Sequence, residues 1–285
     1  MEWINRLNRA MNYIEEHLSE ELNYQEIAQI ACCSTYQFQR VFSYIADMPL
    51  SEYIRRRRMT KAVVDLIDNN EKVIDVALKY GYNSPTAFNR AFKNVHGIAP
   101  SQTRSNGVSL KAFPPISFKI MIKGDVELNY RIEKKESFRI LGIAETISKE
   151  LEENFQNIPL IWQKAAKKGN IEKLSSLMSD EPSGVLGVSV CSEQEDWKYF
   201  IAVASNKPAS DPFEEYLVPA STWAVFPSEG PVPSSFIDLE KRVITEWLPT
   251  SGYEFGNAPH IEVYLTPDPK KAKFEVWIPV VKKDS

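Results

Sequence analysis

The chain has 285 residues, of which 43% are hydrophobic and 25% charged, and this is enough for two domains with separate cores. Its three cysteines, two of them adjacent, exclude a disulfide framework and a zinc-ligand spacing. No apolar stretch reaches the roughly 18 residues of a membrane span, and the first residues lack the apolar core of a signal peptide. We therefore expect a cytoplasmic protein that does not contact a membrane.

The net charge of −4 is distributed unevenly along the chain. Residues 1–107 contain 13 Lys and Arg against 12 Asp and Glu, whereas the remaining residues contain 21 against 26. The basic residues of the first part cluster in the run Arg55–Arg58 with Lys61, and in Arg90 and Lys93. Because a local patch governs attraction to phosphates, this part is a candidate nucleic-acid binder despite the acidic total.

Apolar residues that recur at three- and four-residue steps predict that residues 1–107 are wholly helical. Ser34 and Ser84 are placed to cap two of the helices, and Pro85 suits the first turn of the second one. The predicted helices are Trp3–Leu18, Tyr24–Ala31, Thr35–Ala46, Leu50–Ile67, Val73–Lys79 and a sixth between Ser84 and Gly97.

One segment of this helical part occurs twice. The first copy reads EIAQIACCSTYQFQRVFSYIADMPLSEYIR from Glu26, and the second reads DVALKYGYNSPTAFNRAFKNVHGIAPSQTR from Asp75. Each copy has a short amphipathic helix, a tight polar turn and a second helix with the pattern Phe-x-Arg-x-Phe. Two helix-turn-helix repeats on one chain can reach neighbouring major-groove segments, because recognition helices lie about one DNA turn (~34 Å) apart.

The second helix of each copy has an apolar face and a polar face. The apolar face predicts that Phe38, Phe42, Phe88 and Phe92 are core residues. Arg can bind the edge of guanine, and Asn or Gln can bind adenine, so the polar face supplies candidate DNA contacts. These candidates are Tyr36, Gln37, Gln39 and Arg40 in the first copy and Thr86, Asn89, Arg90 and Lys93 in the second.

These features, above all ALKYGYNSPTAFNRAFKNVHGIAPSQTR in the second copy, resemble the DNA-binding domain of the AraC/XylS transcription regulators. The resemblance covers residues 1–107 and implies binding to double-stranded promoter DNA, with RNA polymerase as a further candidate partner. Pro85 and Thr86 depart from some members of the family, so the base sequence read by this helix stays open. By position, the resemblance assigns the reading of base edges to Tyr36, Gln39, Arg40, Thr86, Asn89 and Arg90.

The run Arg55–Arg58 lies in the predicted helix Leu50–Ile67, which joins the two repeats. Such a run is ordinarily a solvated helix face. In the fold that the resemblance implies, we expect about half of these side chains to contact phosphate or to brace the two repeats.

Residues 108–124 read as a linker because Asn106-Gly107 and Pro114-Pro115 interrupt any periodicity. Beyond it, residues 125–285 alternate between strand and helix patterns. Two similar modules follow one another, each with the order strand, helix, strand, strand, and we predict an α+β domain built from them. The predicted strands are Val126–Glu133, Arg139–Ile147, Val185–Cys191, Trp197–Ala204, Glu215–Val218, Thr222–Pro227, Ile261–Leu265 and Phe274–Val280, and the predicted helices are Asn154–Lys168 and Ser234–Leu248.

The segments HIEVYLTPD and KFEVWIPVV near the carboxyl end resemble the GyrI-like, multidrug-effector-binding domain, over about Asp125 to Lys282. In that family a single glutamate on a central strand faces a cleft lined by aromatic residues and attracts cationic, apolar ligands. The matching position is Glu262, so the resemblance implies a small, apolar or cationic effector bound there.

Strand alternation agrees with this assignment, because it separates Glu262 and Tyr264 from Ile261, Val263 and Leu265, which form the core set. An aromatic cleft with one desolvated carboxylate suits a lipophilic cation. The alternative is that Glu262 is a solvated residue of the sheet surface and Trp277 ordinary packing. The candidate ligand-binding residues are Glu262, Tyr264, Trp277, Tyr199, Trp223 and Trp162.

The sequence therefore predicts a multidomain, ligand-responsive transcription regulator and not an enzyme. It has no nucleophile–His–Asp set, no Gly-rich phosphate loop and no metal cluster among His17, His96 and His260, so we expect no cofactor and no metal. Two alternatives stay open: a GyrI-like hydrolase with Glu262 as general base, and a protein-sequestering module. The pattern leaves open which ligand and operator are bound, and whether the outcome is activation or repression.

Overall fold

The structure is a computed structural model that describes residues 2–67, 71–119 and 127–283. The chain divides into two compact units, Met1–Lys119 and Ile120–Ser285. None of the helices in the described ranges combines the length and the apolar composition that a bilayer crossing demands.

The first unit is all-helical, as predicted. Three of the predicted helices, Thr35–Ala46, Leu50–Ile67 and Val73–Lys79, have the predicted ends, whereas the first two helices end one or two residues earlier than expected. A short 3₁₀ turn, Pro100–Gln102, follows the last helix. The helices are α1 (Glu2–Glu16), α2 (Tyr24–Ile30), α3 (Thr35–Ala46), α4 (Leu50–Ile67), α5 (Val73–Lys79) and α6 (Pro85–His96).

Local capping explains why the ends of α3 and α6 are so well defined. The Ser34 side chain accepts a hydrogen bond from the Gln37 backbone N–H, and the Gln37 side chain accepts one from the Ser34 N–H in return. At the start of α6 the Ser84 side chain accepts a hydrogen bond from the Ala87 backbone N–H, and Pro85 is the first residue of the helix. Gly97 ends α6 at φ +82°, a left-handed conformation that glycine adopts without steric cost.

Each repeat has its own packed aromatic core. The predicted core residues Phe38, Phe42, Phe88 and Phe92 are all buried, and this prediction is confirmed. In the second repeat the rings of Phe88 and Phe92 lie 5.7 Å apart and pack against residues of α4 and α5. The two recognition helices, α3 and α6, are therefore held by their apolar faces.

Residues 103–107 form turns and a bend after the 3₁₀ turn, and residues 108–119 are neither helix nor strand and belong to the first unit. The predicted linker covers this segment and continues into residues 120–124, which lie outside the described residues, as does the start of the predicted strand Val126–Glu133. The domain boundaries at 107 and 125 stay a prediction.

The second unit is an α+β fold with one antiparallel sheet and helices, and the predicted fold class is confirmed. The predicted helix Ser234–Leu248 ends early, because it gives way to a π-helical turn at Val243–Trp247. Two short elements, a helix at Asn170–Leu177 and a strand at Tyr253–Phe255, were not predicted. The elements are β1 (Arg131–Lys135), β2 (Phe138–Thr146), α7 (Leu151–Lys167), α8 (Asn170–Leu177), β3 (Val185–Val190), β4 (Lys198–Ala204), β5 (Glu214–Val218), β6 (Ser221–Gly230), α9 (Ser234–Arg242), β7 (Tyr253–Phe255), β8 (His260–Tyr264) and β9 (Ala272–Lys282).

The strand order shows the predicted duplication. Along the main path of the described sheet the order is β1-β6-β9-β8-β3-β4-β2-β5, and β7 pairs with β9. Thus β2, β4 and β3 are adjacent in the first module, and β6, β9 and β8 repeat that arrangement in the second. The modules meet where β3 pairs with β8, with Gly187 opposite Glu262.

The two faces of the sheet are covered differently. One face carries a cluster of buried residues that includes Ile261, Val263, Trp223 and Trp277. The helices α7, α8 and α9 pack against the other face, on which Glu262 lies. Both faces of β8 are therefore buried, so the alternative that Glu262 is a solvated residue of the sheet surface is wrong.

Candidate functional site

The second recognition helix presents its predicted DNA contacts to solvent. Thr86, Asn89, Arg90 and Lys93 are exposed, while Phe88 and Phe92 of the same helix are buried. The amphipathic pattern of α6 thus places these four side chains on its accessible face, with spacings of one to four residues. This arrangement can meet base edges and phosphates of one groove segment.

The first recognition helix differs from this pattern. Tyr36, Gln39 and Arg40 were expected on an exposed face, and that expectation is wrong because all three are buried. The Arg40 guanidinium hydrogen-bonds to the Tyr36 hydroxyl, and it lies 5.4 Å and 5.7 Å from the ring centroids of Tyr36 and Tyr44. These rings stand four residues before and after Arg40, so they flank its side chain on one helix face. Their role in DNA reading stays a prediction.

The arginine run of α4 braces the first unit internally. Arg57 is buried and forms a bidentate pair with Glu15 of α1, at 2.7 Å and 2.8 Å. Arg58 donates to the carbonyl oxygens of Leu18 and Glu20. Burial tends to raise the pKa of Glu15, but the hydrogen bonds from Arg57 and Tyr53 outweigh it and the pKa lies below its ordinary value.

In the second unit, Glu262 is the acceptor of a buried cluster of phenol groups. The Tyr264 hydroxyl donates to its Oε2 at 2.7 Å, and the Tyr199 hydroxyl donates to the same atom at 3.3 Å. Only 8% of Glu262 is exposed. Phenol groups donate hydrogen bonds without carrying a positive charge, so these two donors add no cation to the cluster.

Trp162 of α7 completes the cluster from the helix side. Its Nε1 donates to the Tyr199 hydroxyl oxygen at 2.9 Å, and its ring packs edge-on against Tyr264 at 5.1 Å. Phe274 continues the aromatic row, with its ring 6.4 Å from that of Tyr264. The structure therefore brings four of the six predicted ligand-binding residues together: Glu262, Tyr264, Tyr199 and Trp162.

The two remaining candidates lie on the other face of the sheet. The register pairs Ile261 with Trp277 and Val225 with Trp277, which places Trp277 in the cluster opposite Glu262. Trp223 is in the same cluster, and the two indole rings lie 6.0 Å apart. Predicting Trp223 and Trp277 beside Glu262 was wrong, because strand register decides the face and the sequence pattern did not reveal it.

Three residues near this site were missed from the sequence. Glu240 of α9 and His260 of β8 form a buried pair with a distance of 2.7 Å between Oε1 and Nε2. Strand alternation places His260 on the same face as Glu262, which was a usable signal. Gly187 lies opposite Glu262, and a Cβ there would be 2.9 Å from Glu262 Oε2.

An open cavity of about 330 Å³ borders α7 on a different side. It lies at the end of β2, beside the ion pair between Lys164 and Glu145. Glu262 does not line it. The lining residues are Glu145, Thr146, Ile147, Ser148, Glu153, Asn157, Leu160, Ile161 and Lys164.

Family profiles match both parts of the chain. The profile described as integron-associated effector binding protein matches residues 131–280, which is more than half of the chain. The profile described as helix-turn-helix domain matches residues 27–106, which contain both repeats apart from Glu26.

Curated relatives match the helical part. The HTH-type transcriptional activator AarP of Providencia stuartii is 42% identical over 98 residues, which are 34% of this chain and 73% of AarP. The regulatory protein SoxS of Salmonella typhimurium is 33% identical over 98 residues, which are 34% of this chain and 92% of SoxS. Both are regulators, so they do not favour the hydrolase and sequestering alternatives.

Solved structures match the second part. The structure of SAV2435 bound to tetraphenylphosphonium has a TM-score of 0.48 and 24% identity, and the match covers 54% of this chain and 94% of that one. The integron cassette protein VCH_CASS2 from Vibrio cholerae has a TM-score of 0.40 and 18% identity, over 53% of this chain and 95% of that one. Together the profiles, the relatives and the folds of both units establish that the chain belongs to the AraC-type helix-turn-helix transcription regulators that carry an integron-associated, GyrI-like effector-binding domain.

Proposed function

We propose that residues 1–107 read two adjacent major-groove segments of a promoter, and that residues 125–285 control this reading by binding a lipophilic cation at Glu262. The observation that carries the ligand assignment is the buried Glu262 carboxylate, held by Tyr199 and Tyr264 and covered by Trp162. DNA contact is assigned to α3 and α6.

The accessible face of α6 supports the first part of the proposal. Arg90 can form a bidentate contact with guanine, and Asn89 can form one with adenine, whereas Lys93 suits a phosphate. On α3, Arg40 has to leave its stack between Tyr36 and Tyr44 before it can contact a base. Gln37 uses its side-chain oxygen to cap α3, so a contact of this oxygen with DNA competes with the cap.

Replacing Arg90 tests the reading of bases. Arg90→Ala is expected to cost about 1–3 kcal/mol of operator affinity and to relax the preference at one base position. The matched control is Lys93→Ala, which should weaken all duplexes alike and lower the slope of log K against log salt by about 0.9. The affinities of both variants are measured by titrating labelled duplexes from a selected operator pool. An unchanged sequence preference in Arg90→Ala removes Arg90 from the readers.

The chemistry of the Glu262 cluster selects the charge of the effector. Burying a carboxylate costs free energy. A bulky aromatic cation bound beside Glu262 is buried together with it and supplies the opposite charge. The faces of Trp162, Tyr264 and Phe274 add cation–π attraction, which a neutral molecule of the same shape lacks. Tyr199 and Tyr264 can then reorient their hydroxyl groups without leaving a buried charge unpaired.

Tetraphenylphosphonium is a suitable probe, and neutral triphenylphosphine oxide is its control. Tryptophan fluorescence should report the cation through Trp162, and Glu262→Gln should weaken its binding by at least about tenfold. Glu229→Gln, an exposed glutamate on β6, is the matched control and should bind as wild type. Equal binding of the neutral molecule, or wild-type affinity in Glu262→Gln, contradicts the assignment.

RNA polymerase is the further partner in this proposal. AarP is a transcriptional activator, and this relationship supports the same outcome for the present chain. In transcription with purified polymerase, the protein should raise output from a promoter that carries its operator. Reduced output on the same template identifies a repressor instead.

A further inference from the structure

The extended segment Lys111–Phe118, here called the strap, lies along α4, the helix that joins the two repeats. Its backbone is held by side chains of the helices. The Phe113 N–H donates to Thr60 Oγ1 at 3.2 Å, and the Ile116 N–H donates to the Tyr53 hydroxyl at 3.1 Å. Thr60 and Tyr53 are seven residues apart, so they share one face of α4 and the strap runs antiparallel to it.

One end of the strap is fixed to the first repeat and α1. The Phe118 N–H donates to Asn8 Oδ1 at 2.7 Å, and the Asn8 Nδ2 donates to the Phe118 carbonyl oxygen at 3.0 Å. This side-chain amide therefore satisfies both backbone groups of one residue. The Phe118 ring is buried and packs edge-on against Phe42 of α3, with 6.0 Å between ring centroids.

The other end is fixed to the second repeat. The Lys111 N–H donates to Nδ1 of His96, the last residue of α6, at 3.3 Å. The Phe113 ring packs against the apolar core of the second repeat, and the Arg56 guanidinium lies 5.0 Å from its centroid. The strap thus touches both recognition helices as well as the helix between them.

The middle of the strap rests on a buried polar network. Arg57 donates to the Phe113 carbonyl oxygen while it pairs with Glu15. The Tyr53 hydroxyl, which accepts from Ile116, donates to the same Glu15 carboxylate at 2.7 Å. Burial and the hydrogen bond to Glu15 keep the Tyr53 pKa above its ordinary value, so the phenol stays protonated and keeps this donor.

We propose that the strap is a splint that fixes the spacing and angle of α3 relative to α6, and that Asn8 and Thr60 are positioning residues for DNA reading. If α4 were the single connection between the two repeats, bending of this helix would change their spacing. A second connection, docked on both repeats, removes that freedom before DNA is bound, so less entropy is lost on binding. The splint rests on the proposed two-segment reading, because only that reading needs a fixed spacing.

The spacing of the operator provides the test. The double variant Asn8→Ala/Thr60→Val removes three strap hydrogen bonds without touching the predicted readers, and Ser117→Ala, an exposed strap position, is the matched control. Each full-length protein is titrated with the operator and with operators that carry one or two extra base pairs between the groove segments. It is also titrated with a duplex that keeps only the segment contacted by α6. Each extra base pair turns one segment by about a tenth of a turn.

A splint predicts that wild type and Ser117→Ala are sensitive to the spacing, while the double variant binds the operator about tenfold more weakly and tolerates the extra base pairs better. Its affinity for the single-segment duplex should stay as in wild type, which also shows that α6 is folded. An unchanged spacing penalty in the double variant overturns the proposal, and so does an equal loss on every duplex. If the double variant unfolds, Tyr53→Phe, which removes only a hydroxyl group, serves in its place. A wild type that is indifferent to spacing refutes the two-segment reading itself.

Discussion

Gly187 and Glu262 pair across β3 and β8, at the line where the two modules meet. If one module is superimposed on the other through this pairing, Gly187 and Glu262 are equivalent positions, as are Tyr199 and Phe274. The duplication has therefore diverged at its centre. One copy supplies the carboxylate, and the other supplies the glycine that leaves room for it and for the Tyr199 hydroxyl.

Gly187→Ala should disturb the site for this steric reason. The new Cβ would lie 2.9 Å from Glu262 Oε2 and closer still to the Tyr199 hydroxyl, so one of them has to move. We expect a loss of about 1–3 kcal/mol in the free energy of unfolding, measured by urea denaturation, and weaker tetraphenylphosphonium binding. Adding Tyr199→Phe removes the hydroxyl oxygen, which is the atom nearest to the new Cβ, and should restore part of the stability. Additive losses in the double variant contradict this account.

At the scale of elements, His96 connects three parts of the DNA-binding unit. It ends α6, its Nε2 lies 3.2 Å from the Met59 carbonyl oxygen of α4, and its Nδ1 accepts from Lys111 of the strap. Burial, with a contribution from the charge of Lys111, lowers its pKa, although the contact with Met59 acts in the opposite direction. The neutral ring with the proton on Nε2 satisfies both contacts.

This lowered pKa predicts a pH dependence of stability. The folded state binds the His96 proton less tightly than the unfolded state does. The contribution of neutral His96 to the free energy of unfolding is therefore complete above the unfolded pKa of about 6.5, and it is lost as the pH falls through the lower folded pKa. Hydrogen exchange of α6 amides should therefore speed up between pH 7.5 and 5.5 beyond the change in intrinsic exchange rate. His96→Gln, which cannot titrate, should lose this extra dependence. If the extra pH dependence persists in His96→Gln, another titrating group causes it.

Elements whose ends are set by local interactions are the most predictable from the sequence. Ser34, Ser84 and Gly97 act through their own backbone neighbours, so the bounds of α3 and the start and end of α6 were predictable. The Glu262 strand was predictable from alternation. The position of Trp277 was not, because the pairing of β8 with β9 determines its face. Burial of Arg40 was missed for a similar reason, since its flanking by Tyr36 and Tyr44 is a matter of side-chain packing.

At the scale of the whole molecule, the two parts carry opposite charge balances and separate chemistries. The residues to 107 hold 13 basic against 12 acidic side chains, with the exposed Arg90 and Lys93 on α6, whereas the rest holds 21 against 26. The acidic balance favours attraction of cations to the second part, and the local basic groups favour attraction of DNA to the first. The groups proposed to bind DNA and those proposed to bind the effector therefore lie in different parts of the chain.

If the protein binds operator and cation at the same time, the control of DNA reading is measurable as a coupling free energy. If tetraphenylphosphonium changes operator affinity by some factor, thermodynamic linkage requires that the operator change tetraphenylphosphonium affinity by the same factor. We expect each affinity to change by a factor of about 5 to 150, the usual range for such coupling. The two factors are measured by titrating the cation into free and operator-bound protein, and the operator into free and cation-bound protein. Glu262→Gln should reduce both factors together, whereas Glu229→Gln should change neither. Identical cation affinity with and without operator means that binding at Glu262 does not control DNA reading, because a ligand shifts an equilibrium only by its differential affinity for the two states.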